Sequence, residues 1–384
     1  MPTNLIEREV VLWGMGHTNL HVVRMWRRNP IRGARLTCVS NHPVSTYSGM
    51  LPGVLAGQYP RERMEIDLVR LCAATGARLI LGDVTGLDTA RQRLLFEDGP
   101  PLPFDVVSIG IGSVPSAEGV DGFRDHALAV KPMTTFLDRL REQLLGLGPR
   151  EIGRAPRLVI VGGGAGGVEI AFCVPPFVNR TLGNVPLDLS LIHPGERLDA
   201  GSLALTNDLV RSRLDSRGVR VFLGRRVTRL DHNRVTLDDG GFVEADVVIW
   251  ATGATAPPIL GTLGLPVDGR RFLLTRPTLQ TLAESPIFAV GDSGTIRESP
   301  TPKAGVHAVR QGPVVRGNLA RLLHGRPLRP YRPQGNFLRL INTGDGCAIG
   351  EYLGLTFEGR WCWWLKDWID RRFMDQFPRT GTAG

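Results

Sequence analysis

Two widely separated glycine-rich stretches decide the fold: VVLWGMGHTNL at residues 10–20 and LVIVGGGAGGVE at residues 158–169. Each begins with four apolar residues and opens a segment with apolar residues at helical spacing. The order strand, tight turn, helix is the context in which a GxGxxG fingerprint predicts a dinucleotide-binding βαβ unit. One such unit is typical of a nicotinamide enzyme, whereas two in one chain favour a flavoprotein that binds FAD and NAD(P)H together.

The second stretch carries the complete fingerprint. Gly162 permits the tight turn, Gly164 lets the backbone approach a pyrophosphate, and Gly167 lets the helix pack on the strand. The helix that starts here offers free N–H groups and a partial positive charge to phosphates, which makes Ala165 and Gly166 further contacts.

The first stretch is incomplete, because Asn19 stands where the third glycine belongs, after Gly14 and Gly16. Asparagine is larger than glycine, so the helix is expected to sit farther from the strand or to bend. This stretch therefore predicts a nucleotide site only in combination with motifs farther along the chain.

Neither unit ends its second strand with an acidic residue. The first ends at Ser40 and the second at His193, where a carboxylate would bind a ribose 2′-hydroxyl and repel a 2′-phosphate. Both NADH and NADPH therefore remain open, with Arg197 a candidate phosphate partner.

The alternation of strands and helices predicts an α/β fold with parallel sheets and two Rossmann-like FAD/NAD(P)-binding domains. A strand that ends in Gly291-Asp292 follows the second unit, so the second domain is expected to be inserted in the first. We assign residues 1–130 and 273–330 to the FAD-binding domain, 131–272 to the NAD(P)-binding domain and 331–384 to a C-terminal segment. Elements expected near the sites are a strand at 8–13 and helices at 17–28, 134–147 and 303–323.

Composition narrows the class of protein. The chain has 384 residues, a net charge of +9 and five cysteines without a CxxC pair, which argues against a disulfide framework. No apolar run reaches the ~18 residues of a membrane span, and no signal peptide is recognised, so we expect a cytoplasmic location. The positive charge could attract anionic lipid or reflect a general use of arginine, but no nucleic-acid-binding motif and no metal-ligand pattern accompany it.

Several further motifs carry a family resemblance. The ATG at residues 251–253, Gly291-Asp292 and the KAGVH at 303–307 resemble the FAD-dependent pyridine nucleotide oxidoreductases with two dinucleotide-binding domains. More narrowly, YSGMLPG at 47–53 and the segment 303–318 resemble the flavoprotein domain associated with selenide water dikinase. That group is similar to type II NADH dehydrogenases and sulfide:quinone oxidoreductases. The resemblance covers nearly the whole chain.

The resemblance implies roles for individual residues. Asp292 would bind the ribityl chain of FAD, and Lys303 would lie near flavin N1 and O2, where positive charge stabilises the reduced ring. Glu169 would face the flavin and the nicotinamide, so Lys303 and Glu169 are the catalytic candidates. The remaining cofactor contacts, from fingerprints and resemblance together, are Gly14, Gly16, His17, Ser40, Ser48, Gly49, Met50, Leu51, Gly110, Gly112 and Ala304 for FAD, and Gly162, Gly164, Ala165, Gly166, Gly167, His193 and Gly253 for NAD(P)H.

The chain departs from both relatives of that group. The glutamine-bearing quinone motif of the type II dehydrogenases is absent at Val306-His307. Sulfide:quinone oxidoreductases use a redox cysteine pair, for which Cys173 and Cys347 are the candidates here. Cys173 lies in an apolar helical stretch, where an inert buried thiol is the simpler interpretation.

Three tryptophans of the C-terminal segment, Trp361, Trp364 and Trp368, share one face of a predicted helix with Leu365. The charged residues Lys366, Asp367, Asp370 and Arg371 are predicted to point elsewhere. Such a face suits the headgroup zone of a membrane, which would place the protein on the inner face of the cell membrane. It suits equally well packing onto the flavin domain or a homodimer partner.

The sequence thus predicts an FAD-dependent oxidoreductase of the NADH dehydrogenase type. It would pass hydride from NAD(P)H to flavin and electrons on to a quinone-like acceptor. Two alternatives remain: a flavoprotein oxidoreductase of a sulfide or selenium pathway, and a non-enzymatic FAD-binding partner protein.

Overall fold

A computed structural model describes residues 7–147, 154–201, 203–283 and 285–378. In these residues the α-helices are His17–Arg28, Leu51–Leu55, Leu68–Thr75, Phe123–His126, Met133–Leu145, Ala165–Leu182, Ala204–Ser216, Gly305–Leu323 and Arg360–Met374. Helices expected at 17–28, 134–147 and 303–323 are therefore present, with ends shifted by two residues at most. The last of these begins late because the backbone at Ala304 is extended.

A five-stranded parallel sheet places the first fingerprint turn at its carboxyl edge. From edge to edge the strands are Ile287–Ala289, Val106–Ile109, Arg8–Trp13, Ala34–Ser40 and Arg78–Leu81. In the central strand Val10 and Leu12 belong to one hydrophobic cluster, and Val11 and Trp13 belong to another on the opposite face. Burial of both faces explains why this strand is a continuous apolar run rather than an alternating one.

A second five-stranded parallel sheet repeats this arrangement around the second fingerprint. Its strands, in order, are Ala127–Ala129, Val247–Trp250, Arg157–Val161, Asp188–Ile192 and Arg220–Phe222. After this sheet the chain returns to the first one with Ile287–Ala289, so the second domain is inserted in the first, as predicted. The strand Ala127–Ala129 lies a few residues before the domain start assigned from the sequence.

Smaller sheets cover the two large ones and form the C-terminal unit. They pair Val44–Thr46 with Glu65–Asp67; Val84–Asp88 with Arg93–Phe96 and Leu102–Pro103; Val114–Pro115 with Ala254–Thr255; Val227–Asp231 with Arg234–Leu237 and Phe242–Glu244; Leu273–Thr275 with Gly294–Ile296; and Arg339–Asn342 with Ala348–Tyr352 and Leu355–Gly359.

The C-terminal helix Arg360–Met374 packs on the rest of the chain through its charged face. The side chains that it buries recur every four residues and are Cys362, Lys366, Asp370 and Met374. Trp361, Trp364 and Trp368 are 52%, 59% and 55% exposed, so the indole face is not the one that packs on the flavin domain. In the part of the chain that the structure describes, no helix combines the length and apolarity needed to cross a membrane.

Candidate active site

A groove follows the carboxyl edge of the first sheet. It consists of two adjoining cavities of about 320 and 450 Å³ that share Gly16, Gly110 and Gly112 among their lining residues. These volumes are in the ~300–1,000 Å³ range of small-molecule sites, and strand carboxyl ends are where α/β folds bind ligands. The predicted FAD contacts that line the groove are Gly14, Gly16, His17, Ser40, Ser48, Gly110, Gly112 and Asp292.

Asn19 holds the glycine turn at the head of this groove. Its side chain is fully buried, and its Nδ2 donates to the carbonyl oxygens of Gly14 (2.7 Å) and Ser108 (3.2 Å). Its Oδ1 accepts a hydrogen bond from the Ser108 hydroxyl at 2.8 Å. The asparagine at the third glycine position thus ties the turn to the neighbouring strand, an explanation that the sequence did not suggest.

His17, the first residue of the following helix, contributes an unpartnered polar atom to the groove. Its ring lies 5.3 Å from that of Tyr47 and 5.7 Å from that of Phe373, between ring centroids. Burial lowers the pKa of His17 to about 4, so the imidazole is neutral at pH 7. Its buried Nδ1 finds no hydrogen-bond partner among the described residues. An unpartnered nitrogen on a residue that lines the groove fits a polar ligand such as FAD.

Asp292 lies in the groove with two residues that the sequence did not single out. Its Oδ2 accepts hydrogen bonds from the Ser113 hydroxyl (2.7 Å) and from the Lys131 ammonium (3.3 Å). Lys131 Nζ also donates to Ser113 Oγ at 2.6 Å. These contacts fix the carboxylate that the resemblance assigns to the ribityl chain.

Lys303 does not line the groove. Its ammonium donates to the Gly294 carbonyl oxygen (2.6 Å) and to Thr295 Oγ1 (3.0 Å), and it lies 3.9 Å from the centre of the Phe272 ring. Burial lowers the pKa of Lys303 to about 8. Its expected position beside the flavin ring stays a prediction, because these contacts direct the charge toward the sheet of Leu273–Thr275 and Gly294–Ile296.

Four other predicted FAD contacts also lie outside the groove lining. Met50 and Leu51 are buried in the hydrophobic core, Ala304 precedes the helix Gly305–Leu323, and Gly49 contacts the C-terminal helix. Their contact with a cofactor likewise stays a prediction.

The second fingerprint turn needs glycine for steric reasons. A Cβ at Gly167 would lie 1.9 Å from the Gly162 carbonyl oxygen, and Gly162 itself has φ +121°. His193 Nδ1 accepts a hydrogen bond from the Gly163 N–H at 3.1 Å, so this nitrogen carries no proton. Burial also lowers the pKa of His193. The other predicted contacts, Gly164, Ala165, Gly166 and Gly253, lie on the same turn or directly after the neighbouring strand.

Where the second domain meets the first, Lys366 of the C-terminal helix lies among buried acids. Its Nζ donates to Asp370 Oδ2 (3.0 Å) and to the Gly49 carbonyl oxygen (2.9 Å), and it is 4.0 Å from Glu169 Oε1. We call Glu169, Lys366 and Asp370 the buried lysine cluster. The sequence placed Lys366 and Asp370 away from the tryptophan face, but nothing in it indicated that they would be buried.

The carboxyl groups of the buried lysine cluster hold their protons more strongly than exposed ones. Burial raises the pKa of Glu169, opposed by the charge of Lys366 and by the Asn342 N–H, which donates to Glu169 Oε1 at 2.8 Å. Burial likewise raises the pKa of Asp370, whose Oδ1 accepts from the Tyr47 hydroxyl at 3.0 Å. Burial opposes the charge on Lys366, yet the two carboxylates raise its pKa on balance.

Of the two thiols expected of a redox pair, Cys173 is unsuited to nucleophilic chemistry. Cys173 is fully buried, and burial raises its pKa well above the ordinary value, which keeps it protonated. Cys347 is partly exposed, and the structure describes both as free thiols.

Comparison with known proteins identifies the family. Residues 8–312 match the model of the pyridine nucleotide-disulphide oxidoreductase family. The chain is 28% identical over 305 residues to the demethylphylloquinone reductase NdbB of Synechocystis sp., covering 76% of this chain and 72% of that protein. It is 25% identical over 293 residues to the type II NADH:quinone oxidoreductase of Haemophilus influenzae, covering 67% of this chain and 66% of that protein.

Solved structures show the same fold. The sulfide:quinone oxidoreductase of Aquifex aeolicus superposes with a TM-score of 0.76 at 16% identity, covering 96% of this chain and 92% of that one. The NDH2 of Plasmodium falciparum in complex with NADH superposes with a TM-score of 0.75 at 12% identity, covering 96% of this chain and 99% of that one. At such identities the likeness concerns the fold alone.

The family and the architecture confirm three predictions made from the sequence: two Rossmann-like domains, an oxidoreductase, and FAD and NAD(P)H as its cofactors. The two sheets with their glycine turns, the groove at the carboxyl edge of the first sheet and the match over residues 8–312 agree with one another. This chain belongs to the pyridine nucleotide-disulphide oxidoreductase family.

Proposed function

We propose that this chain oxidises NAD(P)H and reduces a quinone, with FAD as the intermediate carrier. One observation carries the proposal. The helix that starts at the second glycine turn places Glu169 4.0 Å from Lys366, whose ammonium donates to Gly49 of the first domain. Gly49 follows Ser48, which lines the groove, so the helix behind the second glycine turn adjoins the groove of the first domain. The curated relatives named as reductases of quinones support the acceptor class.

The residues present fit the two nucleotides. The turn of Gly14 and Gly16 and the start of the helix behind it suit the FAD diphosphate, and Asp292 suits its ribityl hydroxyls. The corresponding turn of Gly162 and Gly167 suits NAD(P)H. When bound, FAD supplies a ring that accepts hydride and then gives up electrons one or two at a time.

The buried lysine cluster suits the proton that quinone reduction consumes. A hydride brings two electrons and one proton, whereas a quinone reduced to a quinol takes up two protons. Glu169 and Asp370 both have pKa values raised by burial, and they flank the ammonium of Lys366. A buried carboxyl holds a proton more readily than an exposed one, and we assign Glu169 the role of holding it.

The reaction is tested by double-mixing absorbance measurements without oxygen. The purified full chain, reduced by NADH or NADPH, is mixed with a water-soluble short-chain quinone. Flavin absorbance should return with a rate proportional to quinone concentration, and one quinol should form per flavin. Flavin that stays reduced with quinone but reoxidises with a disulfide or polysulfide would contradict the proposal and favour sulfur chemistry.

Part of this proposal is that the protein contacts a membrane through the indole face of its C-terminal helix. Trp361, Trp364 and Trp368 are exposed there, and the preceding hairpin exposes Leu353 and Leu355 by 64% and 68%. Tryptophan favours the headgroup zone, and a membrane would bring the enzyme to an apolar quinone.

The membrane contact is tested by flotation with anionic phospholipid vesicles. The double substitution Trp364→Ser and Trp368→Ser should reduce vesicle binding by at least tenfold, since it removes two large apolar anchors. Phe242→Ser removes an equally exposed aromatic side chain of the second domain and should leave binding unchanged. Equal flotation of all three proteins would contradict the assignment, and a dimer lost only in the double variant would assign the face to a second copy.

A further inference from the structure

The use of lysine in this chain is selective. Of its 46 basic residues only Lys131, Lys303 and Lys366 are lysines, and all others are arginines. None of the three belongs to the exposed class of residues, and each ammonium donates to oxygen atoms inside the protein. Because arginine provides the other positive charges of this chain, we infer that the three lysines stand where a compact ammonium is needed in place of a planar guanidinium. Of the three ammonium groups, that of Lys131 is the one that lines the groove at the carboxyl edge of the first sheet.

Lys131 reaches from one domain into the cofactor groove of the other. It follows the strand Ala127–Ala129, which is hydrogen-bonded into the second sheet. Its ammonium lies on Ser113 and Asp292 of the first domain, and all three residues line the groove. The Lys131 side chain is 32% exposed, so its charge is available to a ligand rather than consumed in the protein interior.

The groove needs a positive charge to accept an anion. Among the described lining residues there is no arginine, the carboxylates are Asp83 and Asp292, and Lys131 is the one ammonium. His17 does not help, because its lowered pKa keeps it neutral at pH 7. The helix start at Gly16 contributes a partial charge only, whereas the diphosphate of a dinucleotide carries two negative charges.

We propose that Lys131 is the cationic partner of the FAD diphosphate, so that the NAD(P)H-binding domain supplies a ligand to the flavin cofactor. The inference rests on the proposed function for the identity of the dinucleotide. The diphosphate is the part assigned because Lys131 lines the same cavity as Gly16 and His17, where the glycine turn meets the helix. Asp292 Oδ2 accepts a hydrogen bond from this ammonium at 3.3 Å and so orients it.

The test measures FAD release from the purified holoenzyme, followed by the rise in flavin fluorescence at low and high salt. Lys131→Met should release FAD at least about tenfold faster at low salt, since a charged hydrogen bond and its ion pair are lost. The salt dependence of release should be weaker in Lys131→Met than in the wild type, because one phosphate contact no longer contributes. Lys131→Arg should restore much of the retention.

Two controls separate this role from others. Arg124→Met removes an exposed charge seven residues before Lys131 and should release FAD like the wild type. The reduction potential of the flavin that remains bound in Lys131→Met should equal that of the wild type. The proposal would be overturned if Lys131→Met released FAD at the same rate as the wild type. If, in addition, the reduction potential of the flavin were shifted while the release rate was unchanged, the charge of Lys131 would be assigned to the flavin ring instead. Reduction of the same wild-type holoenzyme by NAD(P)H reports separately on the proposed function.

Discussion

Replacing Lys366 by methionine tests the physical account of the buried lysine cluster. Methionine keeps most of the apolar stem but removes the ammonium that lies 3.0 Å from Asp370 and 4.0 Å from Glu169. Removing one partner of a buried ion pair costs about 3–5 kcal/mol, because a buried charge is left uncompensated. The hydrogen bond to the Gly49 carbonyl oxygen is lost as well. We expect the C-terminal helix to detach more readily than in the wild type.

The loss of stability should depend on pH in a defined direction. Without Lys366 the main influence that opposes burial at Glu169 and Asp370 is lost, and only the hydrogen bonds from the Asn342 N–H and the Tyr47 hydroxyl still lower their pKa values. The folded-state pKa values of both carboxyls therefore rise further above the unfolded ones. The folded variant then binds more protons than the unfolded chain between those pKa values, and its stability falls as pH rises through that window. The variant should therefore be least impaired near pH 5 and most impaired near pH 8.

The assays are urea unfolding monitored by tryptophan fluorescence, and hydrogen exchange of the amides of Arg360–Met374, at both pH values. Arg360→Met is the matched control, because Arg360 is an exposed cation of the same helix. A Lys366→Met variant whose stability lies within about 1 kcal/mol of the wild type at both pH values, with unchanged exchange, would show that Lys366 contributes no more than a surface charge.

Three further substitutions follow from contacts in the two fingerprints and the buried thiol. Asn19→Ala should lower stability by about 1–3 kcal/mol in chemical denaturation, because the Ser108 hydroxyl and the turn carbonyls lose a buried partner. Gly167→Ala should abolish flavin reduction by NAD(P)H while FAD stays bound, since its Cβ would lie 1.9 Å from the Gly162 carbonyl oxygen; normal reduction would contradict the assigned nucleotide turn. Cys173→Ser should keep wild-type quinone turnover, because a buried protonated thiol is not a redox nucleophile; lost turnover would revive the sulfur alternative.

The two domains were largely predictable because their signals are local. A strand, a glycine turn and a helix follow one another within about twenty residues. The first fingerprint therefore predicted both the strand Arg8–Trp13 and the helix His17–Arg28 with their correct ends. The inserted topology followed from a single later strand ending in Gly291-Asp292.

The parts that were not predictable depend on residues far apart in the chain. The sequence shows only that Asn19 is larger than the glycine expected at its position. Its structural role depends on Ser108, 89 residues away in the chain, whose hydroxyl donates to Asn19 Oδ1. Lys131 carries no motif, and only the fold of the second domain brings it to Asp292. Helical spacing separated the tryptophans from Lys366 but could not show which of the two helix faces is buried. A charged side chain is buried only where residues of opposite charge lie beside it, and here these are Asp370 and Glu169.

The central claim is that a nucleotide held by the second domain reduces a flavin held by the first. It is tested most directly by anaerobic stopped-flow mixing of the FAD-bound full chain with NADH and, separately, with NADPH. We expect flavin absorbance to bleach in a single turnover with at least one of the two nucleotides, and Gly167→Ala to prevent this bleaching. Flavin that remains oxidised with both nucleotides in the wild-type protein would contradict the claim.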